Sequence, residues 1–282
     1  MSEPIIVGIS GGVDSSVAAI ILKEQGHQIE CVFMKNWEGD DDFCTAEDDY
    51  KDALAVCNLI GIPLRSKNFS KQYWDNVFKN FIEEYSKGRT PNPDVLCNKE
   101  VKFNAFLNYA MDLGGIKIAT GHYARIKYSG KKFQLHKGVD QNKDQSYFLY
   151  LLNQEMLSKS LFPLGELHKS EVRKIAEKNN LINFSKKDST GICFIGEQRL
   201  FKEFLKKYIP SSPGIIRSVD GEMCGEHDGL SYYTIGQRKG LGIGGGYGNN
   251  QDPWFVSDKD LENNVLIVSQ GIRHPSLYHK KL

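Results

Sequence analysis

Long apolar runs are missing from this chain. The longest, IIVGI at 5–9 and VAAIIL at 17–22, fall far short of the roughly 20 residues a membrane-spanning helix needs. The opening residues, MSEPIIVGIS, show no basic stretch followed by a cleavable apolar segment and run straight into what reads as a core strand, so a cytoplasmic protein is expected. Cysteine pairs are missing as well. The six cysteines, at 31, 44, 57, 97, 193 and 224, form no CxxC and no His/Cys cluster at zinc-ligand spacing. A zinc ribbon is therefore not expected, no dedicated protein metal site is assigned, and any thiol that matters should matter through reactivity. Net charge is nearly absent at +1, which removes any whole-molecule electrostatic argument for nucleic acid.

What is present is a globular composition, 40% hydrophobic and 25% charged over 282 residues, enough for two domains. The charge is unevenly spread. Lys117 to Lys143 holds seven Lys or Arg against one acid, Asp140, whereas Glu38 to Asp52 holds eight acids and one base, Lys51. A basic stretch of this kind marks either a solvated face or a phosphate-binding one.

Ile5 to Ser10 reads as a β-branched strand, Gly11-Gly12 as a turn, and Val13 to Gln25 as a helix stopped by Gly26. Strands at 29–34, 62–68 and 116–120 alternate with helices at 46–60, 70–86 and 98–113, the pattern of an open parallel α/β sheet. Ser70 and Asn98 are read as helix caps. Further helices are read at 144–160, 170–179 and 198–207. Ile209 to Gly214 is the linker candidate, and a glycine-rich, β-like texture follows it. The expected division is therefore 1–208 for an open α/β domain and 213–282 for a small β-rich one that cannot build a large core alone.

Three strings carry chemistry. Gly8-Ile9-Ser10-Gly11-Gly12-Val13-Asp14-Ser15 lies at the first strand-to-helix turn, where glycines, a helix N-terminus and serine hydroxyls build a phosphate cradle. It lacks the Lys of GxxxxGK[ST], so γ-phosphoryl transfer is not the indicated reaction. Thr90-Pro91-Asn92-Pro93-Asp94-Val95-Leu96-Cys97-Asn98 reads as a loop stiffened by two prolines that delivers a carboxylate and a thiol just before a helix near Asn98, whose N-terminus would favour the thiolate. Asp188 to Glu197 places a second thiol, Cys193, among turn-forming residues.

The first string resembles the PP-loop of the ATP pyrophosphatase superfamily. All three, together with FMKNW at 33–37, ATGHYAR at 119–125, KDQSYFL at 143–149 and YTIGQRKGLGIGG at 233–245, resemble the tRNA-specific 2-thiouridylases over essentially the whole chain. That resemblance implies ATP-dependent thiolation at position 2 of the wobble uridine in tRNA for Lys, Glu and Gln. It implies ATP, with Mg²⁺, held by Gly8, Ile9, Ser10, Gly11, Gly12, Val13, Asp14 and Ser15 together with Met34 and Gly121. Cys97 would be the nucleophile, Cys193 the persulfide carrier supplied by a sulfur-carrier protein, and Asp94 a general base. Asn92, Pro93 and Asp94 would touch the target base; His122, Lys143, Asp144 and Gln145 would contact the anticodon stem-loop of the tRNA. It also implies a further β-barrel beyond Leu282, which the sequence does not contain. An amide-forming synthetase is the alternative that shares the loop, but it has no use for a Cys97 and Cys193 pair.

Overall fold

The computed structural model describes residues 4–38, 46–188, 201–243 and 252–278. The chain divides into two compact units, one of residues 1–78 and 92–198, the other of 79–91 and 199–282. This differs from the expected boundary of 208/213 in two places, and the reason is aromatic packing. Phe201, at the start of the helix Phe201–Lys206, sits 6.2 Å from Phe81 and 5.5 Å from Tyr85, ring to ring, so both helical segments belong with the second unit.

In the first unit a parallel sheet runs in the order β3-β2-β1-β4-β7, where β1 is Ile5–Ile9, β2 Ile29–Lys35, β3 Leu64–Asn68, β4 Lys117–Ala119 and β7 Ser160–Leu161. β1 is buried at every position because both its faces are covered. Ile5, Val7 and Ile9 join Val17 and Ile20 of α1 (Val13–Glu24) and Val56 of α2 (Ala46–Ile60) in one core. Ile6 faces the other way, toward the turn that ends the helical run 93–112, where a Cβ on Gly115 would stand 2.6 Å from it. β1 has β2 on one side and β4 on the other, so the order in which strands are added reverses between β1 and β4 while all run parallel. The crevice beyond their carboxyl ends is where open α/β sheets bind ligands.

Two local expectations are corrected, and one element was not anticipated. Ser70 is the first helical residue after an N-cap at Phe69, with its N–H held by Asn68 Oδ1 at 2.8 Å; it does not cap. The continuous helix expected over 144–160 is a short 3₁₀ turn, Ser146–Leu149, then a separate helix, Gln154–Ser158, because Asp144 and Asn153 each spend a side-chain oxygen on the backbone that follows. The basic stretch holds an antiparallel hairpin, β5 (Ala124–Ser129) and β6 (Lys132–Lys137), turning at Gly130 and Lys131. Both turn residues take positive φ, 59° and 65°.

The second unit is a four-stranded sheet in the order β10-β11-β8-β9, formed by β8 (Gly214–Ser218), β9 (Met223–His227), β10 (Trp254–Asp260) and β11 (Val265–Gln270). Ile216, Val256, Leu266 and Val268 are fully buried in it, as expected of a small β-rich domain. Among the described residues no helix is long and apolar enough to cross a membrane.

Candidate active site

The glycine turn between β1 and α1 leaves no room for a side chain at Gly11. Gly11 has φ +76°, and a Cβ there would stand 2.2 Å from the carbonyl oxygen of Asp49. α1 starts at Gly12 with no side-chain cap, so its first-turn N–H groups remain available to an anion. Ser10 donates its N–H to Ser15 Oγ at 3.1 Å, the two hydroxyls lie 3.2 Å apart, and Ser16 Oγ donates to Gly12 O at 2.9 Å. The carbonyl of Gly11 accepts from Asn183 Nδ2 at 2.9 Å, which ties the turn to a buried residue far along the chain. A Cβ on Gly121 would lie 2.7 Å from Ser15 N, so the segment after β4 rides directly on the first turn of α1. On the other side Met34 reaches the end of β1, where a Cβ on Gly8 would meet its Cε at 3.0 Å. The residues the resemblance assigns to ATP thus surround one turn, and their glycines, open N–H groups and hydroxyls fit a polyphosphate.

A charged network borders this cradle. Asp14 accepts from Lys169 Nζ at 2.7 and 2.8 Å and from the Tyr123 hydroxyl at 2.8 Å. Lys169 also reaches Asp188 at 2.6 Å, and Asp188 pairs with Lys143 at 2.6 Å and with Arg173 at 3.3 Å. Burial pushes the Asp188 carboxyl up, but its hydrogen bonds from Lys143 and Lys169 outweigh that and hold it below the ordinary range. Burial, and then the neighbouring Asp14 carboxylate, raise the Tyr123 hydroxyl, which therefore stays a donor. Lys169 lies in none of the motifs, and Tyr123, although inside ATGHYAR, was assigned no role from the sequence. The one available signal was a lysine in the first turn of its helix, Lys169–Lys178, where the macrodipole disfavours a cation unless acids meet it.

The thiol-bearing segment departs from expectation. The helix begins at Pro93, five residues before Asn98. Asn92 is its cap, accepting from the N–H groups of Asp94 at 3.1 Å and Val95 at 3.4 Å, with Pro93 at the first helical position where its missing N–H costs nothing. Helical geometry continues through Cys97–Ala105, a π-helical stretch, into Phe106–Asp112. Cys97 therefore lies a full turn inside the helix, beyond the reach of the N-terminal field that was expected to favour its thiolate, and it is buried, 4% exposed. Asn98 caps nothing; its Nδ2 donates to Phe148 O at 3.2 Å.

The run places the thiol on the cradle's edge of the sheet. Phe106 packs against Gly8, Phe103 lies 5.8 Å from the ring of His122, and Cys97 sits six residues before Phe103 on the same helical run. Because the run leads into β4, its beginning lies at the carboxyl ends of the parallel strands, where the glycine turn also lies.

Asp94 is exposed at the start of the run, and the protein packed around it still raises its carboxyl above the ordinary value, an effect that Lys102 opposes. His122 is buried; burial first and Lys102 second hold its imidazole well below the ordinary value, so it is neutral, with Nδ1 2.7 Å from Thr120 Oγ1. Asp144 and Gln145 hold backbone: Asp144 Oδ1 accepts from Gly138 N at 2.9 Å and Gln145 Oε1 from Tyr123 N at 3.0 Å. Cys193 lies outside the described residues, five positions after Asp188.

The tRNA methyl transferase HUP domain family matches residues 3–197, and the tRNA methyl transferase PRC-barrel domain family matches 202–270. The chain is 60% identical over 278 residues to a tRNA-specific 2-thiouridylase of Hydrogenovibrio crunogenus, covering 98% of this chain and 73% of that protein. It is 61% identical over 278 residues to one of Proteus mirabilis, covering 98% and 76%. Among solved structures, a U34-tRNA thiolase from Methanococcus maripaludis overlays with a TM-score of 0.43 at 19% identity, covering 74% of this chain and 67% of that one. The amide-forming alternative finds no place beside such identity over nearly the whole chain, and the chain belongs to the tRNA-specific 2-thiouridylase family.

Proposed function

We propose that this protein performs its family's reaction, ATP-dependent thiolation of uridine in tRNA, at the crevice beyond β1 and β4, with Cys97 and Cys193 as its two working thiols. The observation that carries the reading is the uncapped, glycine-lined start of α1 on the same edge of the sheet as the buried Cys97. Gly8 to Ser15, with Met34 and Gly121, would hold ATP, and Mg²⁺ would accompany its phosphates as hard-cation chemistry favours. The reading covers the wobble uridine of tRNA for Lys, Glu and Gln in the cytoplasm, with sulfur delivered by a carrier protein.

The C2 oxygen of the uridine attacks the α-phosphorus of ATP; pyrophosphate leaves and the base is adenylated. Cys193 bears a persulfide. Its terminal sulfur forms the bond to C2 and AMP departs with the oxygen, while the Cys97 thiolate attacks Cys193 Sγ and breaks the S–S bond. The transferred sulfur is reduced by the two electrons that Cys97 and Cys193 lose in forming a disulfide, and an external dithiol resets the pair. Asp94, with its raised carboxyl, takes a proton near Cys97 once ionised. Neutral His122, Lys143, Asp144 and Gln145 line the RNA side, Asn92 and Pro93 the base side.

The test incubates the protein with ATP, a persulfide donor and an anticodon stem-loop RNA, with free sulfide excluded. Pyrophosphate, AMP and 2-thiouridine should appear in equal amounts. Cys97→Ser and Cys193→Ser should each abolish thiolation while retaining ATP binding; thiolated RNA from either purified variant would contradict the assignment.

A further inference from the structure

Two tyrosines on the rim of this site turn most of their surface to solvent. Tyr147 and Tyr150 are 66% and 63% exposed, and their rings lie 6.3 Å apart at 45°. They stand three positions apart on and just after the 3₁₀ turn Ser146–Leu149, a spacing at which side chains in such a turn eclipse and share a face. The turn that presents them is anchored. Leu149 is buried beneath it, Asp144 Oδ2 accepts from Ser146 Oγ at 2.8 Å, and the Phe148 carbonyl accepts from Asn98 Nδ2 on the helix that carries Cys97. Single exposed aromatics are ordinary on protein surfaces. A neighbouring pair on a rigid turn that packs against both Pro93–Leu96 and β6 is a built surface.

The surroundings select the occupant. The hairpin β5–β6 carries Arg125, Lys127, Lys131, Lys132 and Lys137 and no acid. Its strand β6 packs directly on the tyrosine turn. Aromatic rings beside a basic strand are what unpaired nucleotides require: every base offers a face for stacking, and every phosphate offers a negative charge to lysine. A peptide or a second copy of the chain would gain from the rings but would need acidic groups to answer the hairpin.

We infer that Tyr147 and Tyr150 form a stacking platform for unpaired bases of the RNA substrate next to the one being modified, with the β5–β6 hairpin holding the adjoining phosphates. This deepens the proposed function and rests on it. Stacking neighbouring bases on the rim would hold the anticodon loop open, so that the target uridine is splayed toward Asp94 and Cys97.

The experiment measures binding of an anticodon stem-loop RNA by wild type, Tyr147→Ala, Tyr150→Ala, their Phe and Leu counterparts and Lys132→Gln/Lys137→Gln, at several salt concentrations, with ATP affinity as the folding control. Each Ala variant should bind RNA about 5- to 100-fold more weakly, Phe should restore binding and Leu should not. The slope of log Kd against log salt should stay at the wild-type value in the tyrosine variants and become shallower in the lysine variant, since only the latter loses phosphate contacts. Ala variants that bind RNA as wild type does, with ATP affinity intact, would overturn the platform while leaving the thiolation reading untouched. A wild-type dimer that the Ala variants dissociate, with RNA affinity unchanged, would overturn it in favour of a protein contact. Wild type that binds no RNA would overturn both readings. Were the Ala variants to lose ATP affinity, the Phe-against-Leu comparison decides: equal RNA affinity of the two overturns stacking.

Discussion

Two helices begin on the same edge of the parallel sheet, and they use their first turns in opposite ways. α1 starts at Gly12 with no side-chain cap, whereas the helix that carries Cys97 starts at Asn92, whose side chain takes the N–H groups of Asp94 and Val95. The first leaves its donors for an anion; the second satisfies its own and spends the stabilisation on holding a thiol one turn further in. The acid in each first turn follows the same division. Asp14 is neutralised by Lys169, which keeps the cradle from repelling phosphate, while Asp94 is exposed with only the more distant Lys102 opposing its raised carboxyl. On the proposed reading, the nucleotide site is a helix start left open and the thiol site one that is closed.

The sharpest way to break this comparison is to block the open start. Gly11→Ala drives a Cβ into the Asp49 carbonyl at a left-handed φ, so ATP binding and thiolation should both disappear by calorimetry and product analysis. Retained ATP binding would mean that the turn is not the cradle. Next is the charge balance. Lys169→Met leaves the Asp14 carboxylate uncompensated beside the phosphates, and ATP should bind about tenfold or more weakly; an unchanged affinity would detach Lys169 from the site.

Smaller effects concern the closed start. Asn92→Ala should cost about 1 kcal/mol of stability in denaturant titrations, the value of an N-cap, with ATP affinity unchanged. No loss would show that the Asn92 bonds contribute nothing. Finally, the raised Asp94 carboxyl places the acidic limb of thiolation above the ordinary carboxylate range, and Lys102→Met should move that limb to still higher pH because Lys102 opposes the rise. The sign for stability is the reverse of a paired acid. The folded state holds this proton more tightly than the unfolded chain, so stability contributed at Asp94 falls as pH rises between the ordinary carboxyl value and the raised one. A limb that stays in place in Lys102→Met would remove Asp94 from the reaction.

The open start was legible in the sequence because its cause is local: five strand residues, two glycines and a helix period stand next to one another. The closed start was misread for an equally local reason. Two prolines suggested a stiff loop, yet Pro93 occupies the one helical position that tolerates proline, and Asn92 before it is a preferred cap. The hairpin at 124–137 was hidden by its own lysines, which drew attention to charge and away from the turn at Gly130 and Lys131. What no local pattern could reveal is pairing across the chain. Lys169 meets Asp14 from 155 positions away, and Asn183 meets Gly11 from 172, distances that only the folded sheet closes.

The central claim, that Cys97 and Cys193 exchange electrons in each turnover, is tested most directly by peptide mass spectrometry after one round of RNA thiolation with no reductant present. One Cys97–Cys193 disulfide should form for each 2-thiouridine. Thiolated RNA accompanied by both cysteines still reduced would contradict it.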